Sequence, residues 1–310
     1  MNSQKKPKVA VLLAAYNGIN WIEEQIITIL NQKNVDITIY VSIDLSTDKT
    51  FQYIEEISKN NQNIILLPYG ERFGGAAKNF FRLIIDVDFS NYDYISLSDQ
   101  DDIWHENKII KAISLIEKNN ADAYSSNVIA FWENGRKSLI KKSQPQKKWD
   151  FLFEAAGPGC TYLLKTSLSN SIKKCLIENF DKAKNIGLHD WFVYAYARSK
   201  NFKWIIDPEP SMLYRQHSNN QVGVNQGFRA HAYRAKKILS GWGIEQSILI
   251  SEVIGLKENS LPRKWKNLNK TDLLWLALNA SKFRRRIRDQ ILFSISCIGM
   301  VTIGKIIEKK

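Results

Sequence analysis

Four times in the first 120 residues a short apolar run gives way to a stretch whose apolar residues recur every three or four positions, and no other feature limits the fold as strongly. The runs at 9–14, 37–43, 64–67 and 94–98 are dominated by Val, Ile and Leu, as buried parallel strands are. Between them Ile19, Ile22, Ile26, Ile29 and Leu30, then Phe51, Ile54 and Ile57, then Phe80, Leu83 and Ile84, each fit one helix face, and a further helix is expected at 107–118. Ser46-Thr47-Asp48 reads as a helix start. Such alternation predicts an α/β fold, a parallel sheet with helices on both faces. In sheets of this kind ligands gather at the carboxyl ends of the strands. The residues to watch are therefore Tyr16 and Asn17, Asp44, and Asp99 to Asp102. Further along, strands are expected at 123–128, 161–164 and 202–206 and a helix at 191–197. An exposed polar loop is expected at 133–148, and a tight turn at Gly157-Pro158-Gly159-Cys160.

Composition narrows the function. The apolar share is 44% and the charged share 24%, both globular. Three cysteines form no CxxC pair and no metal-ligand spacing, so a disulfide scaffold and a zinc finger are not expected, and a reducing cytosol is. No GxGxxG follows the first strand, and neither a P-loop nor a Gly-x-Ser-x-Gly elbow is present, which removes the main support for dinucleotide enzymes, NTPases and α/β-hydrolases.

The net charge of +13 is uneven: residues 257–310 carry 13 Lys/Arg against 4 Asp/Glu, a net of +9, and the first 256 residues a net of only +4. A basic tail on a nearly neutral body does not suit a nucleic-acid binder. In that tail Phe283-Arg284-Arg285-Arg286-Ile287-Arg288 precedes an uncharged run of 14 residues, 291–304. As a helix that run is about 21 Å long against a hydrocarbon core of roughly 30 Å. An in-plane anchor on an anionic membrane surface is expected rather than a span, the bland alternative being a pair of C-terminal helices packed on the body with a solvated basic rim.

The feature that carries chemistry is Ser98-Asp99-Gln100-Asp101-Asp102, with three carboxylates in four residues after an apolar strand. Unpaired, they would raise one another's pKa values. A divalent cation with oxygen ligands removes that penalty and commonly bridges to substrate phosphates. An acidic loop capping the next helix is the bland alternative. Asp44, at the end of a neighbouring strand, brings a fourth carboxylate to the same edge.

Residues 9–17, then Ser42-Ile43-Asp44-Leu45-Ser46-Thr47-Asp48-Lys49-Thr50, then Leu97 to Trp104, resemble in order and placement the family-2 inverting glycosyltransferases of GT-A fold. The resemblance covers about residues 7–225. Leu188-His189-Asp190-Trp191 and Tyr214-Arg215-Gln216-His217-Ser218-Asn219-Asn220 are similar to the bacterial polysaccharide rhamnosyltransferase branch. The resemblance implies a mixed, mostly parallel sheet with helices on both faces. It implies a catalytic domain over 1–225 and a helical, basic, membrane-associating extension over 226–310.

Residue by residue, it implies that Ala15, Tyr16, Asn17, Asp44, Asp99 and Gln100 serve the nucleotide sugar. Asp101 would bind Mg2+ or Mn2+, with His217 as a further metal or diphosphate contact, and Asp190 would act as general base. Gly159, Cys160, His189 and Trp191 are placed on the acceptor side, with a small buried residue as the other reading of Cys160. Lys78, beside Gly74-Gly75, could reach the nucleotide phosphates at a helix N-terminus. His105 and His231 are expected to be ordinary surface or packed histidines, and Trp104 and Trp191 could stack on sugar or pack in the core. Asp190, expected near a helix N-terminus, should have its pKa held low by the helix dipole. Two departures stand out: Ile43-Asp44 replaces a common acid pair, and His189 stands where many members have Glu.

The expected activity is transfer of a single sugar, rhamnose from dTDP-rhamnose, to a polyprenyl-diphosphate-linked saccharide in cell-surface polysaccharide assembly. The expected place is the cytoplasmic face of the plasma membrane, with no nucleic-acid partner. Alternatives are a UDP-hexose-dependent enzyme of the same fold, a nucleotidyltransferase, or a non-catalytic binding protein. A polymer-exporting synthase is not expected, because no bundle of spanning helices is present.

Overall fold

A computed structural model describes residues 5–217, 241–256 and 269–303, with Ile303 described by its backbone alone. Ser218, Asn219, Asn220 and His231 lie outside the described residues, as do the 225/226 boundary and the basic residues of 257–266 and 305–310. The chain divides into two compact units, 1–143 with 156–223, and 144–155 with 224–310.

In the first unit the described order is β1 (Lys8–Ala15), α1 (Ile22–Leu30), β2 (Asp36–Ile43), α2 (Thr50–Asn60), β3 (Ile64–Leu66), α3 (Ala76–Asp86), β4 (Tyr94–Ser98), β5 (Ile103–Trp104) and α4 (Lys108–Lys118). There follow β6 (Ala123–Ser126), β7 (Val128–Trp132), β8 (Lys137–Ile140), β9 (Leu163–Lys165), α5 (Thr166–Glu178), α6 (Phe180–Ala183), α7 (His189–Ser199), β10 (Trp204–Asp207) and β11 (Met212–Gln216).

The main sheet has the order β10-β6-β9-β4-β1-β2-β3. Only β9 runs antiparallel to its neighbours, β4 and β6, and the other pairs are parallel. β1 is central because Val9 to Ala15 are all buried, and such a run is stable only with strands on both sides and helices on both faces. Its register sets Ala15 beside Ile43 of β2 and Leu13 beside Ser98 of β4. The chain therefore leaves all three strands at one edge, where Tyr16, Asp44 and Asp99 follow.

A second sheet, β5-β11-β7-β8, departs from the expectations in two places. Within the expected loop at 133–148, β8 pairs antiparallel with β7 from Val128↔Ile140 to Phe131↔Lys137. It is an edge strand with no fully buried residue, so it lacks the apolar run that marks a strand. The strand expected at 123–128 is split at Asn127. The Asn127 carboxamide accepts from the Lys142 and Ser143 amides at 2.6 and 3.0 Å and donates to the Pro208 carbonyl at 2.7 Å.

The second unit holds α8 (Trp242–Val253), α9 (Lys270–Leu278), α10 (Ala280–Phe283), α11 (Ile287–Ile303) and the 3-10 turn Asp150–Leu152. Its lock is Arg285, whose side chain is wholly buried beside Asp150 at 3.6 Å and Glu154 at 3.5 Å. The Arg285 guanidinium also donates to the Ala155 carbonyl at 2.6 Å, and that of Arg284 to the Phe153 carbonyl. Of the basic run at 284–288, Arg285 is thus internal and Arg284 half-buried. Removing one member of a buried ion cluster strands the rest. Arg285→Met is expected to cost this unit about 3–5 kcal/mol. Arg286→Ala, at a surface position, should cost less than about 0.5 kcal/mol. Hydrogen exchange across 144–155 and 280–303 reads both, and equal protection in the two variants would contradict the lock.

Candidate active site

The acid loop lies between β4 and β5, and β11 returns antiparallel to β5 with Met212 opposite Trp104 and Leu213 opposite Ile103. That pairing delivers Arg215, Gln216 and His217 to the carboxylates. The Arg215 amide donates to Asp102 Oδ1 at 3.1 Å and its Nε to the Asp101 carbonyl at 2.8 Å, while its guanidinium pairs with Glu24. His217 Nε2 is 2.7 Å from Asp101 Oδ2, and its ring stacks on Trp21 at 3.9 Å. Asp101 and His217, placed together by resemblance, are in contact.

Behind them, one carboxylate oxygen each of Asp99 and Asp102 and the Cys160 sulfur all lie within 4.8 Å of one another. Burial, reinforced by the charge of Asp101, pushes Asp99 up to about 7. Burial and then the charges of Asp101 and Asp99 push Asp102 well above the carboxylate range. Burial beside these acids likewise raises the Cys160 thiol, so it stays protonated and its S–H interaction lowers both carboxyls slightly. The Lys108 ammonium lies 3.4 Å from the centre of the Trp104 ring, and burial lowers its pKa to about 7.

Crowded carboxylates and an imidazole make a hard, oxygen-rich donor set, and Asp102 Oδ2 is buried with no nitrogen or oxygen donor. These residues fit Mg2+ or Mn2+, and Asp101 Oδ2 and His217 Nε2, 2.7 Å apart, are close enough to share one ion. Cys160 is a poor ligand for such an ion and is fully buried. Of its two readings, the small buried residue is the one the structure shows, against Asp99 and Asp102, and not a place on the acceptor side.

The loop after β1 is stitched from two sides. Gln100 Oε1 accepts from the Tyr16 amide and its Nε2 donates to the Tyr16 carbonyl, both at 2.8 Å. Gln100 is thus a clamp on the loop that presents Tyr16, whose side chain is 51% exposed. Asn17, at φ 46°, accepts from the Thr47 amide, and its own amide donates to Ser46 Oγ. The Gly18 and Ile19 amides donate to Thr50 Oγ1 and Asp48 Oδ2. The Ser46-Thr47-Asp48 start signal therefore fastens this loop, and α2 begins only at Thr50.

Asp44 is buried and accepts from the Leu45, Phe73 and Gly74 amides, each at 2.8 Å, so it anchors the 70–75 loop. Ala15 is internal, its carbonyl accepting from the Asp44 amide at 2.8 Å. Lys78 is exposed in the first turn of α3.

On the other flank α7 starts at His189, and Asp190 Oδ1 accepts from the Trp191 amide at 2.7 Å. The Tyr162 hydroxyl donates to the Asp190 carbonyl at 3.3 Å. Asp190 lies close enough to Asp99 for its charge to raise that residue's pKa. Contrary to the low pKa expected, burial pushes Asp190 up to about 6, outweighing the Trp191 amide and the Lys142 charge. His189 is buried, stacked on Phe80 at 3.9 Å, and burial lowers its pKa to about 3, so it is neutral. Gly159 has no side chain because a Cβ there would overlap His189 Nε2 and come within 3.3 Å of Asp190 Cβ. Trp191 and Trp104 are 5% and 3% exposed, so both pack in the core and neither indole offers a face to a sugar.

Sequence reasoning missed Gln25, which accepts from the Asp102 amide at 2.7 Å, and the latch made by Arg215. A signal for Gln25 existed, since it is a polar residue three positions after Ile22 on the apolar face of α1.

Residues 10–190 match the family model described as glycosyl transferase family 2. The chain is 47% identical to the dTDP-rhamnosyl transferase RfbG of Shigella flexneri over 92% of its own length and 99% of that protein. It is 27% identical to a UDP-Glc:α-D-GlcNAc-diphosphoundecaprenol β-1,3-glucosyltransferase of Escherichia coli, WfgD, over 52% of this chain and 62% of that one. The crystal structure of S. aureus TarS 1–349 with UDP superposes with a TM-score of 0.56 at 14% identity, covering 95% of this chain and 88% of that one. The mannosyltransferase PcManGT of Pyrobaculum calidifontis, with GDP-Man and Mn2+, gives 0.53 at 14%, covering 99% and 89%. At that identity the two structures establish the shared GT-A fold.

A carboxyl raised from 3.8 to about 6 penalises the folded state fully above pH 6 and not at all below about 3.8. Asp190→Asn is therefore expected to stabilise the protein at pH 7.5, by about 1–3 kcal/mol after allowance for partial exposure, and to change little at pH 3.5. Urea unfolding at both pH values checks this, and a destabilised variant at pH 7.5 would refute it.

Proposed function

The chain belongs to glycosyl transferase family 2, and from that premise we propose that it moves a single rhamnosyl group from dTDP-rhamnose to a polyprenyl-diphosphate-linked saccharide, with inversion. The observation that supports this chemistry is the approach of Asp190, in the first turn of α7, to Asp99 of the acid loop whose Asp101 contacts His217. The donor is favoured by the 47% identity to a dTDP-rhamnosyl transferase along nearly the whole chain. The lipid-linked acceptor is favoured by the more distant relative named for a diphosphoundecaprenol substrate. A site at the cytoplasmic face of the plasma membrane belongs to the same reading, as does the division into a catalytic domain and a basic extension.

In the proposed reaction the acceptor hydroxyl oxygen bonds to the anomeric carbon as the bond from that carbon to the diphosphate oxygen breaks. Asp190 takes the hydroxyl proton, and dTDP leaves. A divalent ion held by Asp101 and His217 would offset the charge of the leaving diphosphate. At neutral pH Asp190 is ionised, yet it is more basic than an ordinary aspartate, which suits proton transfer. One carboxylate suffices for a single displacement. The Gln100 clamp keeps the β1 loop and the acid loop in register while the donor binds.

In a thermal-shift panel, dTDP or dTDP-rhamnose with Mn2+ is expected to stabilise more than UDP or GDP at the same concentration, and to add about 2.7 kcal/mol over the ligand-free protein at a hundredfold excess over Kd. EDTA or Asp101→Asn should remove most of that gain. Stronger stabilisation by UDP would move the donor to a UDP-hexose, and stabilisation indifferent to EDTA would remove the ion.

Turnover, followed by dTDP release, should fall about tenfold per pH unit below pH 6 and level off above it. Asp190→Asn should lose about 10²- to 10⁴-fold in rate while still binding dTDP. An Asp190→Asn enzyme that keeps most of its turnover would exclude the base assignment.

A further inference from the structure

The outer side of α11 is an unusual surface. Ile287, Ile291, Leu292, Ile295 and Ile298 are 74, 55, 50, 60 and 47% exposed. The isoleucines are spaced four, four and three residues apart, so they form one stripe along a helix of 17 residues, about 25 Å long. The opposite side is apolar too: Phe293 meets Phe153 and Phe283, and Cys297 and Met300 are buried. A helix apolar on both sides needs an apolar surrounding on both.

The polar groups of α11 point the same way. Ser294 Oγ donates to the Ala277 carbonyl at 2.7 Å, Ser296 Oγ to Leu292 at 2.6 Å and Thr302 Oγ1 to Gly299 at 2.9 Å. Each hydroxyl is satisfied by a carbonyl and needs no water. The only charges within the helix are Arg288 and Asp289, paired at 3.1 Å in its first turn. Exposed Lys282 and partly exposed Arg286 flank that end. No helix among the described residues is long and apolar enough to cross a membrane.

We propose that the Ile287, Ile291, Leu292, Ile295 and Ile298 face of α11 lies in the plane of an anionic lipid interface, with Lys282 and Arg286 at the headgroups. The positive rim favours an anionic bilayer as the occupant, because it supplies both the apolar phase for the stripe and the countercharge for Lys282 and Arg286. The inference rests on the lipid-linked-acceptor reading for its purpose, and its test does not use turnover.

The full chain is sedimented with phosphatidylglycerol vesicles and with phosphatidylcholine vesicles. Preferential binding to the anionic ones is expected. Ile291→Asp with Ile295→Asp should weaken that binding about tenfold or more. Lys282→Glu with Arg286→Glu should weaken binding to phosphatidylglycerol by a similar factor. The circular-dichroism melting curve and the thermal shift with dTDP should be unchanged, and Ile295→Asp alone serves if the pair disturbs folding. Equal binding by wild type and the Asp variants would overturn the proposal, as would no binding to either vesicle. Light scattering that shows a dimer dissociated by the Asp variants, with vesicle binding unchanged, would assign the face to a second copy instead. Vesicle docking together with a larger thermal shift by UDP than by dTDP leaves this face assigned and removes only the donor reading.

Discussion

Three carboxylates drawn to one partly dry sheet edge must be balanced, and the neighbouring structure is arranged around that requirement. Asp99 and Asp102 each have a raised pKa because burial and mutual repulsion disfavour their charges. Asp102 is tied down by the Gln25 side chain and the Arg215 amide, and Asp101 by His217. These contacts require β11 to run back beside β5, and the second sheet accomplishes that. Gln100, between the acids in sequence, turns the other way and fixes the β1 loop. One pentapeptide, Ser98 to Asp102, thus sets both the charge of the site and the shape of its rim.

Much of this was legible in the sequence because it rests on local patterns. The run at Val9 to Ala14 needs no tertiary information to be read as a central strand, and Tyr94–Ser98 carries its boundary in Asp99. That Asp44 and Asp99 follow strands at the same sheet edge was legible from strand-end placement, whereas the engagement of Asp44 by the Phe73 and Gly74 amides was not. What escaped was nonlocal. Lys137–Ile140 is a strand only because β7 pairs with it, and Asn127 divides its strand only because Lys142, Ser143 and Pro208 meet its amide. The pKa of Asp190 departs from the sequence expectation for the same reason: the helix start is visible in sequence, but the burial that outweighs it is not.

The departure at His189 also has a physical account. A neutral imidazole stacked on Phe80 fills the space that Gly159 leaves open and packs beside Asp190. A buried glutamate there would need its own compensation, and a neutral histidine does not. In the second unit the arginine run has divided duties: Arg284 and Arg285 hold the 144–155 segment, and Arg286 and Arg288 remain at the surface. A basic run read only as net charge overstates what a membrane could meet.

Manganese anomalous scattering from crystals grown with dTDP and Mn2+ reports directly on whether the crowded acids hold a cation. A strong peak in contact with both the Asp101 carboxylate and the His217 imidazole is the expected result, lost in Asp101→Asn crystals. A peak that touches neither residue, or dTDP bound at this edge with no peak, would contradict it.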